Sequence, residues 1–397
     1  MAGEGAGLCQ TPVDGLLDAV ESAISLGLRE LCCRLGIAGS SFARSVENLF
    51  KASCLRMSEE VFRQVVESEG KAVIQAQQEE LLPIEWSAAE CKTQTPEGRE
   101  VSRVYSSADG VMVPMTTQAE KDKRRETVKK HRRERPRQKG VKRTRLGAVK
   151  QGMDQRYKQL YLTSFYDQSK EHRLVSVTRG GHEAMGRLLG KSAALIRLAA
   201  ADQRVGLVDG AVCLKRHMEG LDLTAVGLDF CHLAGHVAGV DRESPAKPAE
   251  RPEPAVPESE AGVESAAVPA PGPVIARSSA WTRDVLHTVK HQGYDPFWNK
   301  LVVMRNARRG KRRQRADQLL HYVAQRQEMI AYDVFLKKGW DIGTGPMEAQ
   351  CKATTRRIKG SGMRWDSDNA EALVGLEALY QSHLWDSWWT KTRCSLN

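Results

Sequence analysis

The chain has 397 residues, a formal net charge of +11 at pH 7 and a pI near 9.2. That length can bury a sizeable core across two or three domains, and the basic balance favours an anionic partner, nucleic acid first. Nine cysteines without one Cys-x-x-Cys pair argue against a disulfide scaffold and a zinc ribbon, and no apolar run approaches a membrane span. The start carries no basic-then-apolar leader, so a reduced cytoplasmic protein with no membrane partner is expected.

From residue 13 to 80 the pattern is helical. Leu16, Val20, Ile24, Leu28 and Leu31 recur at helical spacing, and Gly36 and Gly39 interrupt them. A second segment from Ser41 carries Phe42, Val46, Leu49 and Phe50. Ser58 is an N-cap signal for a third helix, with Glu59 and Glu60 in its first turn and Val61, Phe62, Val65 and Val66 as its apolar face. Three short helices fit a helix-turn-helix DNA reader and equally a plain three-helix bundle.

Residues 103–114 predict two strands hinged at Asp109-Gly110. Between Lys121 and Arg145 about fourteen Lys or Arg stand against three acids. Such a run predicts a solvated, flexible arm, and Lys129, Lys130, Arg132 and Arg133 could grip phosphates from it. Strands are predicted at 158–166 and 174–177, then a helix carrying Met185, Leu188, Leu189, Leu195, Ile196 and Leu198. Two short apolar strands follow, one running into Asp209-Gly210 and one into Asp229 and His232. Strands alternating with helices predict a mixed α/β domain, whose polar strand ends gather into a crevice.

Residues 241–275 hold eight of the fifteen prolines among Ala, Glu and Ser, which predicts a linker without a core. Helical pattern resumes near Trp281 and contains a basic cluster from Arg305 to Arg315. Trp281, Trp298 and Trp340 could stack on an unpaired base or pack in a core. Gly343 and Gly345 then punctuate a turn, and Pro346 starts a helix with Glu348 in its first turn. Lys352, Arg356, Arg357 and Lys359 make that helix basic, and Gly360 is its predicted end. On spacing alone Glu348 could simply pair with Lys352 one turn on. Arg364-Trp365 and a helix over 370–380 lead to a Trp-rich C-terminus.

Three carboxylates at the ends of separate elements could hold two divalent metals, and Asp109, Asp209 and Glu348 are candidates. Four stretches carry a family resemblance. They are Ser107-Ala108-Asp109-Gly110-Val111-Met112-Val113-Pro114, Leu207-Val208-Asp209-Gly210-Ala211, Asp229-Phe230-Cys231-His232, and residues 342–349 continuing to 361–365. In order and spacing they resemble the Mutator-like DDE transposases of bacterial insertion sequences, closest to the ISKra-type group.

The resemblance covers most of residues 13–240 and 281–392. It implies a ribonuclease H-like catalytic domain with a helical insertion between the second Asp and the Glu, preceded by an all-α N-terminal domain. On it, residues 1–90 are helical, a candidate helix-turn-helix DNA-binding domain. The core spans 100–240, with the basic arm at 121–145, and resumes at 341–397. The linker (241–275) and the insertion (276–340) lie between.

By carry-over Asp109, Asp209 and Glu348 become a triad binding two Mg²⁺ or Mn²⁺ ions, and Asp229 and His232 become auxiliary residues. Lys129, Lys130, Arg132, Arg133, Lys352, Arg356, Arg357 and Arg364 become DNA contacts. Double-stranded DNA is then the partner, at element ends and target, with a homo-oligomer assembled on it in a prokaryotic, nucleoid-associated setting. The chain departs from the family's pattern in lacking a Cys-rich head and in placing its Pro/Ala/Glu stretch where insertion helix is expected. Two other readings stand beside this one: an inactive remnant that only binds DNA, and a basic RNA-binding protein.

Overall fold

The computed structural model describes residues 24–134, 146–241 and 279–392. The fold is mixed α/β, a mixed sheet preceded by helices. The first three helices are α1 (Leu26–Ala38), α2 (Phe42–Ser53) and α3 (Glu59–Gln78). Each starts at a serine whose hydroxyl accepts an otherwise orphaned amide: Ser25 from Leu28 at 3.4 Å, Ser41 from Arg44 at 3.1 Å and Ser58 from Val61 at 3.2 Å. Ser58 therefore caps as its sequence predicts. Val61 instead stays exposed, while Phe62, Val65 and Val66 face the core.

The sheet contains β1 (Lys92–Gln94), β2 (Glu100–Pro114), β3 (Tyr157–Asp167), β4 (Arg173–Thr178), β5 (Gln203–Val208) and β6 (Ala225–Leu228). Its order is β4-β3-β2-β5-β6, with β1 beside the start of β2. The β4-β3-β2 side is antiparallel and the β2-β5-β6 side is parallel. Residues 103–114 are thus one strand, not a hairpin. β2 pairs without a break from Val104↔Asp167 to Pro114↔Tyr157, so Asp109 and Gly110 sit inside a ladder. Glycine fits at 110 because a Cβ there would meet the Gln159 amide group at 1.8 Å.

After β2, helix α4 (Gln118–Glu134) takes up the first half of the basic run. That half is ordered helix and not a flexible arm; residues 135–145 lie outside the described residues. Helix α5 (His182–Leu195) covers the sheet with Met185, Leu188 and Leu189, and α6 (Val212–Glu219) links β5 to β6. Helix α7 (Phe230–Asp241) follows β6 directly. The predicted linker falls almost wholly outside the described residues. Beyond it come α8 (Ala280–His291), α9 (Tyr294–Asn306), α10 (Gly310–Ala324) and α11 (Tyr332–Lys337), a helical stretch as expected.

The chain returns through α12 (Gly345–Thr355) and α13 (Ser367–Gln381). α12 ends at Thr355, five residues before Gly360. The hydroxyls of Thr354 and Thr355 bond back to the carbonyls of Gln350 and Cys351, an interaction that weakens continued helix. α13 is apolar around most of its circumference, and α3 packs along it at Gly70, opposite Ala372. Glu69, fully buried on α3, is neutralised by Arg29 of α1. The N-terminal helices therefore share a hydrophobic core with the C-terminal ones.

Candidate active site

Strand register brings three aspartates to one level. Ser107 pairs with Leu207, so two more places along this parallel ladder set Asp109 beside Asp209. Val208 pairs with Leu228, so one more place sets Asp209 beside Asp229. Adjacent strands lie about 4.8 Å apart, which puts these acids in a row at one edge of the sheet.

Asp109 is half-buried. Its Oδ1 accepts the amide of Gly110 at 2.6 Å, and its Oδ2 accepts the thiol of Cys351 at 3.6 Å. Burial pushes its carboxyl above the usual aspartate value, and the neighbouring Asp209 adds to the rise. Asp209 follows β5 in a sharp turn whose next residue, Gly210, has φ +87°, a conformation that glycine tolerates. Asp209 Oδ1 accepts the amide of Ala211 at 2.9 Å. Arg326 Nε donates to the Gly210 carbonyl at 2.8 Å, and the Tyr322 hydroxyl to the Asp209 carbonyl at 3.5 Å. The region between the second Asp and the Glu thus holds the Asp209 turn from beneath.

Asp229 is only 1% exposed. Its Oδ2 accepts the amide of His232 at 2.8 Å and faces His232 Nδ1 at 3.1 Å. Its Oδ1 accepts the amide of Thr344 at 2.7 Å. Burial pushes this carboxyl up, but His232 and the two amides outweigh burial and hold it below the usual value. His232 is held above the usual histidine value by Asp229, with Asp209 and Asp109 contributing. Thr344 is the residue before α12, and its carbonyl accepts the amide of Glu348 at 3.0 Å. One buried carboxylate therefore fixes the start of the Glu348 helix.

Glu348 is exposed on that first turn, near enough to Cys231 and Cys351 to raise both thiols, after burial and the nearer aspartates. The pairing with Lys352 does not form. Among the described residues neither Glu348 oxygen has a hydrogen-bond or ion-pair partner. The three triad carboxylates gather in one region but do not converge to within 4.8 Å of one another. No family model matches the chain, and no curated protein matches it.

The basic residues divide. Lys130, Arg133, Lys352 and Arg356 are exposed, and Lys129 is half-exposed beside Glu126. Arg364 is partly exposed and paired with Glu120 at 3.0 Å. Arg357 is a correction: it is buried between the rings of Phe42 and Trp365, and its Nε donates to the Gly36 carbonyl at 3.0 Å. Packed this way it presents little surface to a phosphate, although it stands at the wall of a groove that Arg364 also lines. Trp340 is also core, packed edge-on against Phe335 with its Nε1 on Gln203.

Sequence reasoning missed Cys351, Tyr322, Arg326 and Thr344. Cys351 had a signal, since three residues after Glu348 is the same helix face. Tyr322 and Arg326 had none, because only tertiary packing brings them to the aspartates; Thr344 lies inside the 342–349 stretch, but its bond to Asp229 is visible only in the fold.

Proposed function

We propose that the chain is a DNA transposase of the DDE type, built on a ribonuclease H-like core. The observation that carries the reading is the row of Asp109 on β2 and Asp209 just past the end of its parallel neighbour β5, with Glu348 entering from a helix anchored on Asp229. An Asp on the first long strand, another after an interior strand and a Glu on a late helix is the arrangement that the sequence resemblance implies. The sheet order supports it, as does the helical stretch between Asp209 and Glu348.

Mg²⁺ suits the donors. All three are carboxylates, and both Glu348 oxygens lack partners among the described residues. Asp109, Asp209 and Glu348 would hold the metal, which when bound activates an attacking oxygen and stabilises the leaving oxygen of a phosphodiester. The protein's own part is positional. Burial and Asp209 make Asp109 a costly anion, a carboxylate ready for a cation. His232, charged more readily than an ordinary histidine, brings positive charge beside the acids where a scissile phosphate would sit. A groove of about 760 Å³ between α4 and the N-terminal helices carries more cations (Arg63, Arg124, Arg125 and Arg364 among them, with Arg357 at its wall) than carboxylates (Glu59, Glu67 and Asp366), which supports it as a path for the DNA backbone.

The test is Mg²⁺- or Mn²⁺-dependent nicking of duplexes carrying the inverted ends of the element, with strand transfer assayed in the same reaction. Alanine at Asp109, Asp209 or Glu348 is expected to abolish cutting and leave DNA binding largely intact. Loss of binding in all three variants would overturn their assigned role. The spread of the three carboxylates favours a second reading, an inactive remnant that only binds DNA. Tight duplex binding by the unaltered chain without any nicking would select it, and preference for RNA over duplex ends would select a basic RNA-binding protein.

A further inference from the structure

Away from the aspartate row, at the opposite end of β2, lies a second cluster that the transposase reading does not use. Cys91 precedes β1, Asp167 ends β3, and His172 stands in the turn that leads into β4. The Cys91 sulfur, a carboxylate oxygen of Asp167 and a ring nitrogen of His172 all lie within 4.8 Å of one another. Asp167 pairs across the sheet with Val104, whereas Asp109 pairs with Leu162. Five residues of strand, roughly 16 Å, therefore separate the two sites.

We propose that Cys91, Asp167 and His172 form a zinc-binding site. Thiolate, imidazole and carboxylate together are a donor set suited to Zn²⁺, and a poor one for Mg²⁺, which takes oxygen alone. Around a tetrahedral zinc such donors stand about 3.3–3.6 Å apart, so from their limit of 4.8 Å the sulfur contacts need to close by at most about 1.2–1.5 Å. Charge fits as well: one thiolate and one carboxylate neutralise the dication where the protein excludes water. Cys91 is fully buried and Asp167 is 3% exposed. His172, at the open side, leaves a direction from which water can complete the shell.

The surroundings hold the donors in place. Asp167 Oδ2 accepts the Ser169 hydroxyl at 2.7 Å and faces His172 Nδ1 at 3.0 Å, and Oδ1 accepts the His172 amide at 3.3 Å. The Trp86 ring covers the imidazole at 5.4 Å. On the other side, Ser87 and Glu90 form a capping box over the turn that presents Cys91, and the Cys91 carbonyl accepts the Arg103 amide at 2.8 Å. Zinc here would staple the segment arriving from α3 to the turn between β3 and β4. Its binding would be folding free energy.

The experiment uses the full chain, freed of metal and then titrated with Co²⁺ and Zn²⁺. Co²⁺ is expected to give a thiolate-to-cobalt charge-transfer band and tetrahedral ligand-field bands, saturating at about one ion per chain and displaced by Zn²⁺. Cys91→Ser should abolish the charge-transfer band, and His172→Ala should weaken the ligand-field bands and the affinity. Replacing exposed Cys54 and Cys231 by serine, or His182 and His217 by alanine, should leave both signals unchanged. Circular dichroism reports whether each variant folds. Absence of a thiolate band in the unaltered chain overturns the proposal without any variant, and so does a band that survives Cys91→Ser.

Discussion

Asp229 Oδ1 accepts the backbone N–H of Thr344 at 2.7 Å, across 115 residues of sequence. This one bond ties the end of β6 to the start of α12, and so sets where Glu348 stands relative to Asp109 and Asp209. Asp229→Ala leaves the buried Thr344 amide without its acceptor, which costs about 1–3 kcal/mol. Asp229→Asn keeps an oxygen for Thr344 but removes the charge facing His232. Urea unfolding should therefore show a larger loss for the alanine variant, while on the proposed function both lower cutting. Equal losses would mean that the amide contact contributes nothing.

The same carboxylate makes stability depend on pH in two ways. His232 is held above its ordinary 6.5, so its contribution is full below pH 6.5 and is lost as pH rises through the higher folded value. Asp229 is held below its ordinary 3.8, so its contribution is present above pH 3.8 and is lost as pH falls through the lower folded value. The pair supports the fold most between those two ordinary values. NMR titration of His232 should show a raised midpoint that drops in Asp229→Asn; a midpoint indifferent to that change removes the coupling.

Asp109 carries the opposite sign. Burial and then Asp209 raise its pKa in the fold, so the ionised carboxylate destabilises the protein at pH 7; that penalty fades as pH falls through the raised folded value and is gone below pH 3.8. Asp109→Asn is expected to abolish cutting yet stabilise the chain by about 0.5–2 kcal/mol at neutral pH, the pattern of a site strained for function. A lower melting temperature for the variant would show that the charge is structurally compensated.

Much of this fold was legible because its signals are local. Ser58 announces a cap, and the apolar runs before Asp209 and Asp229 announce short strands, whose parallel pairing only the fold shows. Asp109-Gly110 misled because Asp-Gly is also the commonest hairpin signal. What decides between turn and strand is pairing with a partner distant in sequence: β2 runs unbroken beside β3, with Gly110 opposite Tyr161. Arg357 misled for a similar reason: its position beside Lys352 and Arg356 suggests a basic face, but helix α12 has ended and the turn directs it against the edge-to-face pair Phe42 and Trp365. The level row of Asp109, Asp209 and Asp229 follows from register, which no single strand encodes.

Gly70 tests the union of the N- and C-terminal helices. A Cβ there would lie 2.4 Å from the Ala372 carbonyl oxygen and 2.7 Å from its carbon, both main-chain atoms that cannot swing aside. In a free helix Gly→Ala gains about 1 kcal/mol, while overpacking costs roughly 1–3 kcal/mol. Gly70→Ala is therefore expected to lower stability, and the measurement is the urea midpoint. A stabilised variant would mean that α3 and α13 part easily.

Arg357 and the helix α4 cations should separate in a salt titration. Replacing Lys129, Lys130, Arg132 and Arg133 by alanine is expected to reduce the slope of log K against log salt by up to about 3.6, at about 0.9 per phosphate neutralised. Arg357→Ala should leave that slope unchanged, because the side chain faces two rings and a carbonyl instead of solvent. It should instead destabilise the fold by roughly 2–4 kcal/mol through the lost hydrogen bond and ring contacts. If the α4 variant binds with an unaltered slope, that helix is a solvated face and takes no part in the proposed DNA contact. If Arg357→Ala reduces the slope while stability is kept, its guanidinium leaves the core when DNA is bound.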